Sequence, residues 1–198
     1  FKRIKYVDAI RDYCSDKPDL RNPLIVKDVT EIFKDTTFVV FAGKTIKAIK
    51  AKTNGKPRKF YDKLTDFLKS REAKGLAYFI TPEEKAKLKE LLAFESGDSV
   101  FFVADEEEKA IKFTAMLRTE LGNQLELIDE NDFKFCWIVD FPFYEKDDDG
   151  NVAFSHNPFS MPQGDIEDIK KDPFGAVAYQ YDLVINGYES LSGAVRNH

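Results

Sequence analysis

The chain has 198 residues, enough for one large domain or two small ones with a buried core. Its 43% hydrophobic and 33% charged content is that of a globular protein. The net charge of −5, from 30 basic and 35 acidic residues, excludes a global pull toward nucleic acid, so any such contact must be a local patch. Cys14 and Cys136 stand far apart with no metal-ligand spacing, which argues against structural zinc and fits a reducing cytosol. No apolar run approaches the roughly 20 residues of a membrane span, and Phe1-Lys-Arg-Ile-Lys-Tyr6 does not read as a signal peptide. The absence of an initiator Met suggests a processed or excised piece.

The spacing of Val7, Ile10 and Tyr13/Cys14 predicts a short helix that ends before Pro18, and Asp19 to Pro23 reads as extended or looped. From residue 24 the texture changes. Thr37-Phe-Val-Val-Phe41 predicts a strand, Ala42-Gly43-Lys44 a turn, and Thr45 to Lys50 a half-exposed strand of period two. Phe60, Leu64, Phe67 and Leu68 line one helix face. Leu76 to Ile80 predicts a strand. Thr81, Pro82 and Glu84 form a capping-box helix start, with Leu88, Leu91 and Leu92 as the buried face. Gly97-Asp98 leads to a strand at Val100–Val103. Glu106 to Leu121 predicts the longest helix, with Ala110, Phe113, Leu117 and Leu121 inward and Gly122 as its stop.

After residue 131 the texture changes again. Phe135 to Val139 predicts a buried strand broken at Phe141-Pro142. Lys146 to Gly150 is a polar turn, Ser155 to Asp172 a loop, and a strand pair ends the chain. The expected fold is α+β, antiparallel sheets with helices: a module 24–131 interrupting a domain made of 1–23 and 132–198.

Asp182, Glu189 and Arg196 are the residues best equipped for chemistry. Mg²⁺ takes carboxylates and phosphate oxygens, and an arginine can clamp a carboxylate with two parallel hydrogen bonds. Asp182 and Glu189 are seven apart, so a regular strand would send them to opposite faces; Asn186-Gly187 between them is a favoured turn or bulge dipeptide. The site then reads as cut through the middle, since the chain stops soon after Arg196. By spacing alone, a solvated sheet face with an ordinary hairpin accounts for the same residues. His156, in Ser155-His-Asn-Pro-Phe-Ser160, could contact a ligand or simply be solvated. Lysines 44, 47, 50, 52, 56 and 59 with Arg58 form a local basic stripe. Alternating lysines there could line up toward phosphates, or could protect an edge strand from aggregation. Asp105 to Glu108 suits a helix N-terminus without further function. No P-loop, GxGxxG, GxSxG or HExxH motif occurs.

Four segments occur together and in order: Tyr13-Cys-Ser-Asp-Lys-Pro-Asp-Leu-Arg21, Trp137-Ile-Val-Asp-Phe-Pro142, Ser155-His-Asn-Pro-Phe-Ser160, and Tyr181-Asp-Leu-Val-Ile-Asn-Gly-Tyr-Glu189 with Ser192-Gly-Ala-Val-Arg196. In these the chain resembles bacterial-type aspartyl-tRNA synthetases. By position and by Gly75-Leu-Ala-Tyr-Phe-Ile80, the region 24–131 resembles the GAD domain inserted in their catalytic domain. The resemblance implies a cytoplasmic, homodimeric parent that joins aspartate and ATP into aspartyl-adenylate, with Mg²⁺, and passes the aspartyl group to the 3′ end of tRNA-Asp. Arg196 matches the arginine that grips the aspartate side chain, His156 the histidine of the loop over the amino-acid pocket, and Asp182 and Glu189 the carboxylates serving ATP and its Mg²⁺. Lys47 and Lys50 are the expected tRNA contacts.

The chain departs from the family pattern in three ways. Asn157 follows His156 where many members have a second histidine. Ser-Leu-Ser-Gly stands in place of a run of glycines before Arg196. Both variants resemble a subgroup that often also charges tRNA-Asn. The sequence also contains no F-R-x-E and no G-x-G-x-x-R segment, the motifs that supply phosphate-binding arginines. The expectation is a piece of a ligase, inactive alone. The alternative is a free-standing GAD-like module that binds tRNA without catalysis, since GAD domains also occur in an amidotransferase subunit acting on mischarged tRNA.

Overall fold

A computed structural model describes residues 1–74, 82–147 and 149–197, with 82–85 described by backbone only. In chain order the elements are strand β1 (Lys2–Lys5), helix α1 (Tyr6–Tyr13), β2 (Val26–Asp28), β3 (Thr45–Lys52), α2 (Arg58–Lys69), α3 (Pro82–Leu92), β4 (Asp98–Asp105) and α4 (Glu107–Gln124). They continue with β5 (Phe135–Pro142), β6 (Tyr144–Lys146), β7 (Val152–Phe154), α5 (Ile166–Lys171), β8 (Val177–Ile185) and β9 (Tyr188–Ala194). The fold is α+β. Its strand pairs are antiparallel apart from β1 with β5, which is parallel. Contacts divide the chain into two compact units. The first holds Phe1–Ile10, Asp16–Leu20 and Asp132–His198; the second holds Arg11–Ser15 and Arg21–Asn131.

The second unit is a three-stranded sheet, β2-β3-β4, covered on both faces. On one face Val26, Ile49, Phe101 and Val103 pack with Leu64 and Leu68 of α2 and Leu117 and Leu121 of α4. On the other, Ile46, Ala48 and Phe102 pack with Phe33, Phe41, Leu88 and Leu92. Covering both faces overrides the half-exposed reading of β3, which is the central strand rather than an edge. The expected α2 face holds, with Phe60, Leu64 and Leu68 buried. In α3, Leu88 and Leu92 are buried while Leu91 is 47% exposed. In α1, Val7 is 65% exposed and Ala9 and Tyr13 are the buried positions.

Two expectations fail here for identifiable reasons. Thr37–Phe41 is a turn, closed by Phe41 N–H donating to Phe38 O at 2.8 Å. Phe38 and Phe41 stack edge to face at 5.1 Å, and Val39 is left 86% exposed, so aromatic anchoring outweighs β propensity. Gly122 lies inside α4, which runs on to Gln124. A side chain there would collide with the Asn22 amide, so the glycine permits close approach rather than ending the helix. The strand expected at Leu76–Ile80 and the Thr81/Glu84 capping box fall outside the described residues and side chains.

Asn22 belongs to a buried polar network that the sequence did not announce. Its Nδ2 donates to Arg118 O at 2.8 Å, and its Oδ1 accepts from Leu24 N–H at 3.1 Å. Arg118, 4% exposed, donates from Nε to Leu24 O at 2.7 Å and from Nη2 to Asn22 O at 2.6 Å. Its guanidinium also lies over the Tyr13 ring, 5.0 Å from the centroid.

The first unit is a four-stranded sheet, β1-β5-β8-β9. Ile138, Cys136, Ala178 and Val184 are buried in it. Strand β5 continues through Pro142 with a bulge between Val139 and Phe141, where Asp140 takes φ 57°. The loop after Ser155 contains α5, started by Asp165, whose side chain accepts from Glu167 N–H. Asn186 and Gly187, with φ 51° and 86°, form the two-residue turn between β8 and β9 that the dipeptide predicted.

Candidate functional site

The β8–β9 hairpin decides which side chains meet. Across a two-residue turn, paired residues share a face: Ile185 pairs Tyr188 and Val184 pairs Glu189. Asp182 is two residues before Val184, so it shares a face with Glu189. The turn itself resolves their odd separation. A bulge then leaves Ser190 unpaired, and Asp182 stands opposite Ser192 rather than Leu191. One extra residue inverts the alternation, so Ser192 and Ala194 join the face of Asp182. On the opposite face the Tyr181 ring lies against Gly193, where any side chain would collide with it.

Asp182 is 3% exposed, and its Oδ1 has no hydrogen-bond partner among the described residues. Burial pushes its carboxyl up from the ordinary value; Ser192 pulls the other way, and the nearby Glu189 and Asp16 charges add to the rise. Lys17 stands in this cluster, 2.5 Å from Asp16 Oδ2 and 3.4 Å from Glu189 Oε2. Burial lowers the pKa of Lys17, but Asp16 and Glu189 more than offset this, so the net direction is up. Asp16 and Lys17 lie in the helix end and in the shared segment Tyr13 to Arg21, but the sequence gives neither a role in the site. Their adjacency to Glu189 comes from tertiary placement, which no local spacing encodes.

The His156 loop is stitched to the end of β9. Met161 N–H donates to Val195 O at 2.7 Å, Asn197 N–H to Phe159 O at 3.0 Å, and Ser160 forms a β-bridge with Arg196. Gln163 ties the same loop to β5 and β8, donating to Asp140 Oδ1 at 2.8 Å and Ala178 O at 3.3 Å. The Arg196 guanidinium lies on the Phe159 ring, 3.8 Å from its centroid. His156 stands edge-on to Phe141 at 5.1 Å and Tyr6 at 5.5 Å. Burial raises the Tyr6 phenol, and the Asp16 and Glu145 charges add to the rise. His198 lies outside the described residues.

The lysines of the basic stripe belong to the second unit. Lys47 and Lys50, three apart on β3, fall on opposite faces of the sheet, which corrects the expectation of one aligned stripe. Lys47 shares the face of Ile49, is 7% exposed, and pairs with Asp28 at 2.8 Å. Lys50 donates to Ala93 O at 3.1 Å.

Mg²⁺ fits this donor set. Asp182 Oδ1 is an acceptor unclaimed among the described residues and shares a face with a second carboxylate, and Mg²⁺ usually takes one or two carboxylates with substrate phosphates rather than a full protein cage. Among the described residues no cluster of three or more His, Cys, Asp or Glu could hold a metal alone. No described helix is long and apolar enough to cross a membrane.

Comparison with known proteins agrees with the resemblance. An aspartate–tRNA(Asp/Asn) ligase of Gluconobacter oxydans (strain 621H) is 48% identical over 220 residues, covering 100% of this chain and 37% of the relative. Those of Ehrlichia canis (strain Jake), 46% identical, and Acidiphilium cryptum (strain JF-5), 48% identical, also cover 100% of the chain, with 38% and 37% of their own lengths matched. The chain thus spans little more than a third of the relatives it matches. A profile of the tRNA synthetases class II (D, K and N) matches residues 1–198, and the chain belongs to that family.

Proposed function

We propose that this chain is part of an aspartate–tRNA ligase that forms aspartyl-adenylate from aspartate and ATP and transfers the aspartyl group to tRNA-Asp, with tRNA-Asn as a second acceptor. The relatives' names support the reaction class. The observation that supports the site is the buried Asp182 oxygen with no partner among the described residues, on the same side as Glu189.

In this reading aspartate's α-carboxylate attacks the α-phosphate of ATP, the α–β phosphoanhydride bond breaks and pyrophosphate leaves, so two anions must approach each other. Asp182 and Glu189 hold ATP through its Mg²⁺, which when bound neutralises phosphate charge. Lys17, already held by Asp16 and Glu189, keeps the Glu189 carboxylate in place. Arg196 grips the aspartate side chain from the Phe159 shelf, and the stitched loop sets His156 over the amino-acid pocket. The 24–131 region serves as a GAD-like insertion flanked by catalytic segments 1–23 and 132–198. Its tRNA contact is carried by Lys50, because Asp28 already holds Lys47. The working enzyme is a cytoplasmic homodimer.

The test is aspartate-dependent ATP–pyrophosphate exchange. The natural polypeptide carrying this sequence should exchange, and Asp182→Asn should lower kcat by about 10²-fold or more. The 198-residue chain alone should not exchange, because its sequence holds neither phosphate-binding arginine motif. Full exchange by Asp182→Asn would remove the carboxylate from the site. The free-standing binding module survives only if the natural polypeptide binds tRNA and shows no exchange.

A further inference from the structure

A cleft of about 460 Å³ in the second unit plays no part in the site above. It is lined by Lys56, Pro57, Lys59, Phe60, Lys63 and Gln124. Lys59 and Lys63 are four apart and share a face of α2. Lys56 comes from the turn after β3, where Asn54 and Gly55 take φ of 47° and 72°, and its ammonium lies 5.9 Å from the Phe60 ring centroid. No carboxylate lines the cleft, and among the described residues none pairs with these three lysines. Of the acids close by, Asp62 faces Arg58 at 3.8 Å and Glu120 accepts from Gln124 at 2.6 Å, while Asp66, three residues beyond Lys63 on α2, is exposed. The first turn of α2 holds no acid, and Pro57 caps it without a side-chain hydrogen bond, so the helix end adds positive potential.

Three lysines lining one concavity repel one another, and a chain of net charge −5 had acids to spare for neutralising them. The lining chemistry selects among anions. Lysines are point charges on flexible stems, suited to a run of phosphates whose exact geometry varies. A single small phosphate compound is usually held by an arginine fork or by converging backbone N–H groups, and the lining contains no arginine. Phe60 is only 8% exposed and supports the lysine stems rather than offering a face for base stacking.

We propose that this cleft grips the phosphodiester backbone of RNA, a contact separate from that of Lys50. Only the identification of that RNA as tRNA rests on the ligase reading. The test uses the natural polypeptide carrying this sequence, as wild type, Lys59→Glu/Lys63→Glu, Lys59→Gln/Lys63→Gln and Lys59→Arg/Lys63→Arg. Three readouts are taken: tRNA affinity against NaCl concentration, KM for tRNA in aminoacylation, and ATP–pyrophosphate exchange without tRNA, with thermal melts to confirm folding.

The expected result for the Glu and Gln pairs is a tRNA affinity lowered about tenfold or more at 0.1 M salt, with the slope of log K against log[salt] shallower by about 2. The Arg pair should keep both, and exchange should be unchanged throughout. Unaltered affinity and slope in the Gln pair would overturn the proposal. So would binding of ATP or inorganic phosphate that competes with tRNA and disappears in the Gln pair, since the occupant would then be a small anion. Absence of exchange in the wild type would defeat the ligase reading instead, and the salt slope would still decide the cleft.

Discussion

Arg118 in the second unit and Asp182 in the first are almost equally buried, at 4% and 3% exposure, yet their surroundings differ in kind. The Arg118 guanidinium donates to two carbonyls and covers the Tyr13 ring, and the backbone carbonyl of Arg118 accepts from Asn22. Asp182 keeps one carboxylate oxygen with no partner among the described residues, and the repulsion of Glu189 and Asp16 stands against the pull of Ser192 and Lys17. A buried charge whose donors are used holds the chain together. A buried charge left incomplete costs stability and is worth keeping when something else completes it.

The largest expected effect follows from breaking the complete network. Arg118→Ala leaves the Asn22 and Leu24 carbonyls buried without donors and should destabilise the second unit by about 3 kcal/mol or more. Urea unfolding followed by circular dichroism at 222 nm reports it, because α2, α3 and α4 all lie in that unit. A loss below about 1 kcal/mol would mean the carbonyls find water, and the contrast with Asp182 would collapse. Gly122→Ala attacks the same network sterically. The new methyl meets the Asn22 amide and also Ile128 Cδ1 at 3.3 Å. The expected loss is about 2 kcal/mol, against the gain that alanine normally brings inside a helix; a stabilised variant would show that Asn22 can swing away.

What the sequence made legible divides along the same line. Helix faces with strong 3.6 periodicity, such as Phe60/Leu64/Leu68 and Ala110/Phe113/Leu117/Leu121, were readable because one covered face imposes the period. Asn186-Gly187 was readable because few dipeptides tolerate two positive φ angles. Strand β3 was not, since burial on both faces erases the difference between its faces and lets a lysine sit inside against Asp28. The Gly122 reading failed because a glycine near a helix end has two uses, and only Asn22, distant in sequence, distinguishes them. Asp182, Glu189, Arg196 and His156 are candidates through shared motifs. Asp16 and Lys17, though inside one of the shared segments, carry no legible site role because their link to Glu189 spans more than 170 residues of sequence.

A smaller effect tests the contrast through its pH dependence, using two aspartates with opposite shifts. Burial raises Asp182, so its folded pKa lies above the ordinary 3.8. Its charge therefore costs stability at neutral pH, and that cost fades as pH falls through the raised value toward 3.8. For Asp28, burial pushes upward, but Lys47 and the Thr30 hydrogen bonds outweigh it and lower the pKa. Its contribution is present above 3.8 and is lost as pH falls through the lowered value. Asp182→Asn should accordingly be more stable than wild type at pH 7, with the advantage shrinking toward pH 4. Asp28→Asn should be less stable at pH 7, with the deficit shrinking only below about pH 4. Trp137 fluorescence follows the first unit and helical dichroism the second. Loss of stability at pH 7 in Asp182→Asn would show that its carboxylate is satisfied after all.

The two thiols provide the condition in which the units should not differ. Cys14 and Cys136 are free and buried, one in each unit, and burial pushes both up to about 11. Lys47 and Arg118 pull Cys14 back somewhat, and Lys2 does the same for Cys136, but neither cation outweighs burial. At pH 7 the thiolate fraction is then about 10⁻⁴, so both should resist a thiol-specific reagent in the native protein and react fully in denaturant. Arg118→Ala should sharpen this, because loosening the network around Tyr13 opens the neighbouring Cys14 while leaving Cys136 protected. Equal protection of both thiols in that variant would indicate that the Arg118 network secures Asn22 and Leu24 without governing access to the Cys14 side of its core.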